Sequence, residues 1–197
     1  MKYDFDKQVN RRGTGSLKWD VPENELPMWV ADMDFETVPQ VKEALAARVA
    51  QGIYGYSILP DEWSRSYVDW WKKRHGLDLD PEKLIFVTGI VPAISSAVRK
   101  LTTPAENVLV QTPTYNIFFN SIYNNGRNIV ENKLLYDGER YRVDWGKLEE
   151  QLSDPQTTLM ILCNPHNPIG KIWDKETLTR VGELCSKYDV TVLSDEI

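Results

Sequence analysis

Four places in this sequence carry residues able to hold and polarise a charged ligand. Asn167 lies between two prolines in Cys163-Asn164-Pro165-His166-Asn167-Pro168-Ile169-Gly170. Restricted backbone on either side makes its amide a well-held hydrogen-bond donor, although Asn-Pro pairs are also ordinary turn formers. Asp195 closes the run Thr191-Val192-Leu193-Ser194. A carboxylate against an apolar strand needs a cationic partner, because burying it unpaired is costly; taken singly, it also reads as an N-cap or a surface acid. Gly89-Ile90-Val91 falls between a β-branched run and a helix start. Free amides and the helix dipole at such a junction suit phosphate. No G-x-G-x-x-G and no Gly-Lys-Ser/Thr accompanies it, so Gly89 alone reads as a turn glycine. Tyr115, after Thr112-Pro113-Thr114, offers a flat ring for stacking or a plain core or rim tyrosine.

Together, a phosphate cradle, a stacking ring, an amide donor and an acid suit a planar, phosphorylated, cationic heterocycle. Pyridoxal 5′-phosphate has those properties. Its ring nitrogen needs a carboxylate to stay protonated, and protonation makes the ring an electron sink.

Positioning these residues falls to alternating strands and helices. Residues 1–36 lack helical periodicity and read as an extended arm that must lie on something else. Residues 38–50 are predicted helical, with Thr37 as N-cap and Gly52 after the end. A second helix starts near Asp61, carries Trp63, Tyr67, Trp70 and Trp71 as core or interface, and stops at Gly76. Residues 84–88 read as a strand, 91–101 as a helix with Pro92 in its first turn, 108–111 as a strand and 115–123 as a helix. Residues 129–135 and 141–143 read as strands joined by Asp137-Gly138, a hairpin signal. Residues 144–152 are helical, 158–162 a strand, 178–188 a helix and 190–193 a strand. The alternation predicts an α/β fold with a mostly parallel sheet flanked by helices on both faces. Asn167 and Asp195 then stand at the C-terminal ends of strands, where open α/β sheets bind ligands.

Composition narrows the function classes. The 197 residues carry a formal charge of −6 and no Lys/Arg block, which argues against a nucleic-acid partner. Cys163 and Cys185 form no Cys-x-x-Cys pair and fit a reducing compartment. No apolar run reaches membrane-spanning length, and the charged N-terminus shows no secretory signal, so a cytoplasmic protein without a membrane partner is expected. Two histidines without an acid or cysteine cluster make no metal site. His166 could approach a ligand, but a structural role is the preferred reading.

The segments Leu26-Pro27-Met28-Trp29-Val30-Ala31-Asp32-Met33-Asp34-Phe35, Tyr54-Gly55-Tyr56-Ser57, Val87-Thr88-Gly89-Ile90-Val91-Pro92-Ala93-Ile94, Cys163-Asn164-Pro165-His166-Asn167-Pro168-Ile169-Gly170 and Ser194-Asp195-Glu196-Ile197 appear in one order. In them the chain resembles fold-type I pyridoxal-phosphate enzymes of the aspartate aminotransferase type. It is most similar to the branch of PatB/MalY-type cystathionine β-lyases (C–S β-lyases) and class I/II aminotransferase-like proteins. The resemblance implies that the Ile90 and Val91 amides after Gly89 hold the phosphate. It implies further that Tyr115 stacks on the ring, Asn167 donates to the ring 3′-oxygen and Asp195 pairs with the pyridinium nitrogen. Tyr56 would reach the phosphate of a neighbouring subunit, which implies a homodimer with shared sites. Ala31 and Asp32 would lie near the amino-acid substrate.

On this resemblance, residues 1–50 form an arm and first helix of a small domain or interface, and residues 51–197 the N-terminal part of the large cofactor-binding domain. The Schiff-base lysine falls beyond Ile197, so no catalytic residue lies within the chain and the isolated piece is expected to be inactive. Lys171 does not match that lysine. The implied activity is β-elimination of cystathionine or cysteine to a thiol or homocysteine, pyruvate and ammonia. Transamination, which starts from the same carbanion, is the alternative. A non-catalytic binding or regulatory module with this fold also stays open. A nucleotide-binding α/β protein is disfavoured, because no ribose-reading acid follows a glycine fingerprint.

Overall fold

The computed structural model describes residues 3–196. Met1, Lys2 and Ile197, the last residue of the Ser194-Asp195-Glu196-Ile197 segment, lie outside them. The chain divides into two compact units, Met1–Leu77 and Asp78–Ile197.

The first unit contains a turn-rich arm and two helices. The arm is tied by a polar knot around Asp34. Its carboxylate accepts from Lys18 Nζ, Trp19 Nε1 and Arg11 Nη1, each at 2.7 Å. Those three donors hold Asp34 well below the usual carboxylate range, the Lys18 bond contributing most. Helix α1 (Pro39–Gln51) starts one residue later than expected, with Val38 rather than Thr37 as N-cap and no capping side chain. Pro39 at the first helical position explains the shift: its ring holds the preceding residue extended, and its missing N–H would have had no partner there. Gly52 ends α1 in the left-handed region at φ 70°. Helix α2 (Asp61–His75) places Asp61 and Glu62 in its first turn and four basic residues in its last, as the macrodipole favours. Neither helix buries a residue. Tyr67 and Trp70 are half-exposed, so the aromatic set of α2 is not core in this structure.

In the second unit the expected strand 84–88 does not form. Leu84 has extended dihedrals (φ −82°, ψ 127°), yet no ladder to another strand is made among the described residues. Ile85, Phe86 and Val87 are exposed, Ile85 at 83%. β-branched side chains favour an extended backbone, but a strand is completed only by a neighbour.

Helix α3 (Ile90–Leu101) follows, then strand β1 (Asn107–Thr112), helix α4 (Asn116–Tyr123) and strand β2 (Asn128–Lys133). Strands β3 (Leu135–Tyr136) and β4 (Tyr141–Arg142) form the antiparallel hairpin expected at Asp137-Gly138. Helix α5 (Trp145–Leu152), strand β5 (Thr157–Cys163), helix α6 (Lys175–Lys187) and strand β6 (Thr191–Asp195) complete the unit. Asp144 and Asp174 cap α5 and α6 by accepting the Lys147 and Thr177 amides at 3.0 and 2.7 Å.

Four strands make one parallel sheet in the order β2-β1-β5-β6. Strands β1 and β5 are buried on both faces, so they read as continuous apolar runs rather than alternating ones. On one face Val108, Val110, Leu159, Ile161 and Cys163 pack under Ile94 and Val98 of α3 and Phe118 and Ile122 of α4. On the other, Leu109, Met160 and Leu162 pack under Leu148 and Leu152 of α5 and Val181 and Cys185 of α6. The sheet is therefore sandwiched between helices, as the alternation required.

Candidate cofactor site

A parallel sheet delivers all its C-terminal ends to one edge, and three of the sequence-derived residues sit there. Tyr115 follows β1, Asn167 follows β5 and Asp195 is the last residue of β6. The fourth feature, the start of α3, reaches the same edge by helix direction. The C-terminal end of α3 is fastened at the opposite edge: Arg127, just before β2, donates from Nε to Thr102 Oγ1 (2.8 Å) and from Nη2 to Thr102 O (2.6 Å). Twelve helical residues span about 18 Å, so the first turn of α3 returns to where β1, β5 and β6 end.

That first turn has no capping side chain, and Pro92 contributes no N–H. The amides of Ile90 and Val91 precede the first intrahelical donor, Ala93, whose N–H reaches Gly89 O at 3.2 Å. Gly89 is extended at φ 168°, a conformation open to any residue. An added Cβ would make only ordinary contact with Pro92 Cδ at 3.5 Å. Nothing within the fold demands glycine at 89; close approach of a ligand to the amides would.

Tyr115 is the N-cap of α4, and the residue is 41% exposed. The ring is propped edge-on by the buried Phe118, with centroids 5.9 Å apart and planes at 84°. Asn167 is exposed at the head of a tight turn. The His166 N–H donates to Lys171 O (2.7 Å) and the Gly170 N–H returns to His166 O (2.8 Å). The Asn167 N–H points to Cys163 Sγ at 3.5 Å, and its side-chain amide makes no hydrogen bond among the described residues.

Asp195 pairs in register with Cys163, and the Asn164 N–H extends the ladder by donating to Asp195 O at 3.0 Å. Its carboxyl is half-buried, and burial pushes its pKa up. Among the described residues no cation forms an ion pair with it. A desolvated carboxylate without a cation, beside uncapped helix amides and a propped aromatic ring, fits a flat ligand carrying positive charge at one end and phosphate at the other. The donor set thus suits pyridoxal phosphate.

His166, for which a structural role is the preferred reading of the sequence, has a partner that the sequence does not reveal. It is 1% exposed, and its ring packs edge-on against Trp173. Its partner, the Pro113 carbonyl, lies 53 residues away in sequence, and no local spacing signals such a contact. Lys171 is engaged elsewhere: its ammonium donates to Tyr141 O at 2.9 Å and lies 5.0 Å from the Trp173 ring centre.

Tyr56, Ala31 and Asp32 belong to the first unit. Tyr56 is fully exposed in the segment between α1 and α2, Ala31 is exposed, and Asp32 pairs with Arg11 at 2.5 Å. A hollow of about 390 Å³ in the first unit is lined by Phe5, Phe35, Lys7, Glu36 and Lys42. Its lysines, Lys7 and Lys42, are both paired with Glu36. Among the described residues no helix is long and apolar enough to cross a membrane, and no group of His, Cys, Asp and Glu is arranged to hold a metal.

Comparison with known proteins agrees with this geometry. Residues 24–197 match the family model described as aminotransferase class I and II. The chain is 46% identical to cystathionine beta-lyase PatB of Bacillus subtilis, covering 98% of this chain and 51% of that protein. It is 33% identical to protein MalY of Escherichia coli, covering 99% and 52%. Among solved structures, cystalysin from Treponema denticola, which contains a pyridoxal 5′-phosphate cofactor, superposes with a TM-score of 0.90 at 35% identity, covering 100% of this chain and 52% of that one. A pyridoxal-phosphate-bound C-S lyase from Staphylococcus hominis gives 0.87 at 32% identity, with the same shares. The chain spans about half the length of the curated relatives it matches. Its sheet and helices adopt the fold of pyridoxal-phosphate-dependent transferases, and the chain belongs to the class I and II aminotransferase family.

Proposed function

We propose that the whole protein carrying this chain is a pyridoxal-phosphate-dependent C–S β-lyase. It would cleave the Cβ–S bond of cystathionine or cysteine, releasing homocysteine or another thiol, pyruvate and ammonia. The observation that carries the cofactor assignment is Asp195: a half-buried carboxylate without a cationic partner, fixed at the edge where uncapped helix amides and a propped aromatic ring also stand. The likeness to PatB and to the Staphylococcus hominis C-S lyase supports the reaction.

Bound there, pyridoxal phosphate supplies an electron sink for the carbanion left when the substrate Cα loses its proton. The residues of this chain hold and tune it. The Ile90 and Val91 amides after Gly89 take the phosphate, and Tyr115 covers one face of the ring. Asn167 donates to the ring oxygen, and Asp195 keeps the ring nitrogen protonated. Ala31 and Asp32 flank the substrate, and Tyr56 reaches the phosphate of a second subunit in a homodimer. Residues 1–50 serve as arm and first helix of the small domain, residues 51–197 as the first part of the cofactor-binding domain.

The experiment is a pyruvate assay on the whole protein with cystathionine and no keto-acid acceptor. Pyruvate and homocysteine in equal amounts support the lyase. Turnover that requires a keto acid and yields no pyruvate replaces it with an aminotransferase, the reading favoured by the family-model match. Failure to bind pyridoxal phosphate removes both.

A further inference from the structure

The cofactor reading assigns work to Tyr115 and Asn167, which arrive on different loops. Strands β1 and β5 pair in register only as far as Val110 and Ile161. Beyond that rung the two chains separate, one toward Tyr115 and the other toward Asn167. One hydrogen bond between the two turns exists among the described residues: His166 Nε2 to Pro113 O, 2.9 Å. Pro113 stands two residues before Tyr115, and His166 immediately precedes Asn167.

The chemistry of that bond is determined. A carbonyl oxygen can only accept, so Nε2 carries the hydrogen. The other ring nitrogen, Nδ1, is buried and meets no partner among the described residues. Burial outweighs the help that the Pro113 and Gln111 carbonyls give a second proton, so the ring is held as the neutral Nε2–H tautomer. The ring itself cannot swing. The His166 backbone is bonded on both sides to the Gly170–Lys171 end of its turn, and its ring stands nearly perpendicular to that of Trp173 at a centroid distance of 5.7 Å. Trp173 in turn donates its backbone N–H to Asn164 Oδ1 at 3.0 Å.

We propose that His166 is a positioning residue that clamps the β1 and β5 turns into one body, setting the spacing between the Tyr115 ring and the Asn167 amide. Its role rests on the cofactor reading above: a planar ligand stacked on Tyr115 receives the Asn167 donor at its rim only if the two turns keep a constant offset. His166 touches neither ligand nor reacting atoms. It acts through Pro113 on one side and through the peptide to Asn167 on the other.

The test uses the whole protein and two substitutions. His166→Gln retains an N–H near the Nε2 position, whereas His166→Phe fills the volume without a donor. Three quantities are measured: pyridoxal phosphate affinity, visible circular dichroism per bound cofactor (which reports ring orientation), and amide hydrogen exchange in the cofactor-free protein. We expect His166→Phe to weaken cofactor binding about tenfold, the order of one hydrogen bond, and to reduce the dichroism. Exchange should rise in residues 113–118 and 164–170 together, and His166→Gln should restore all three toward the parent. Equal impairment of both variants, or an unclamped Phe variant whose exchange and dichroism match the parent, overturns the proposal. If the parent binds no pyridoxal phosphate, the cofactor reading fails. The exchange measurement, made without cofactor, then still decides whether the clamp exists.

Discussion

Cys163 and Asp195 face each other across the last rung of the β5–β6 ladder, with Sγ 3.9 Å from the carboxylate Oδ2. Burial pushes the Cys163 thiol up, so it stays S–H at neutral pH and meets Asp195 as a weak dipole rather than a second negative charge. Its single proton has a nearer acceptor in Pro165 O, at 3.3 Å. Asp195 thus has a neighbour that neither repels nor neutralises it, and its demand for a cation is left to a ligand.

Removing that demand should act in opposite directions with and without cofactor. Asp195→Asn deletes a charge whose desolvation opposes folding, so the cofactor-free protein should melt at a higher temperature than the parent at neutral pH. The same change deletes the counter-ion of a ring cation and should weaken pyridoxal phosphate binding by about a hundredfold, as for one partner lost from a buried pair. Calorimetry with and without cofactor reads both; a variant with unchanged affinity would refute the pairing.

The buried His166 predicts a pH signature of stability. Burial lowers its pKa from the ordinary 6.5, outweighing the Pro113 and Gln111 carbonyls that favour the protonated ring. Below 6.5 the unfolded chain takes up a proton that the folded chain accepts only at lower pH. This contribution is therefore complete above 6.5 and is lost as pH falls through the window beneath it. Between about pH 7.5 and about pH 5.5 the denaturation midpoint should fall more steeply in the parent than in His166→Gln. Parallel curves would rule out the histidine as a source of the slope.

Phe118 supports the site from beneath. It is buried at 1% exposure between α4 and the sheet, and its ring props Tyr115. Phe118→Ala should cost about 3–5 kcal/mol in denaturant unfolding. A loss below about 1 kcal/mol would mean the core re-forms around the gap.

Arg127 is a buried cation whose hydrogen-bond partners here are uncharged oxygens, Thr102 Oγ1 and O, Arg99 O and Asn125 O, with Glu106 adding a coulombic attraction. The planar fork meets several acceptors at once, which an ammonium cannot do. Arg127→Lys should destabilise by about 2 kcal/mol and loosen α3 at its C-terminal end, visible as faster amide exchange in residues 98–103. Equal stability would show that one strong bond suffices there.

Much of this was legible in the residues because local and global signals agree in the second unit. The apolar runs of β1 and β5 are continuous because both faces are covered, and Asp144 and Asp174 announce α5 and α6 by capping chemistry. The turn residues Asp137-Gly138 mark the hairpin by their own backbone preferences. Residues 84–88 misled for a physical reason: Ile85 and Val87 have strand propensity, but pairing is a property of a neighbour, which no propensity encodes. The start of α1 was misplaced because a proline at the first helical position outweighs a hydroxyl one residue earlier. The His166–Pro113 bond was invisible because it joins positions 53 apart that share no periodicity. Tyr115, Asn167 and Asp195 could be placed at one edge from sequence because parallel connectivity sends every strand end the same way.

The extra rung from Asn164 to Asp195 has a consequence for selectivity. An acid mounted at the end of a ladder, its own carbonyl held by the Asn164 N–H, is tied against drifting to follow a misplaced counter-ion. Such a post rewards molecules by where their positive charge resides rather than by how much they carry. Polyamines or free lysine, however cationic, gain little from it, whereas a heterocycle anchored by its opposite end meets it with no rearrangement of the protein.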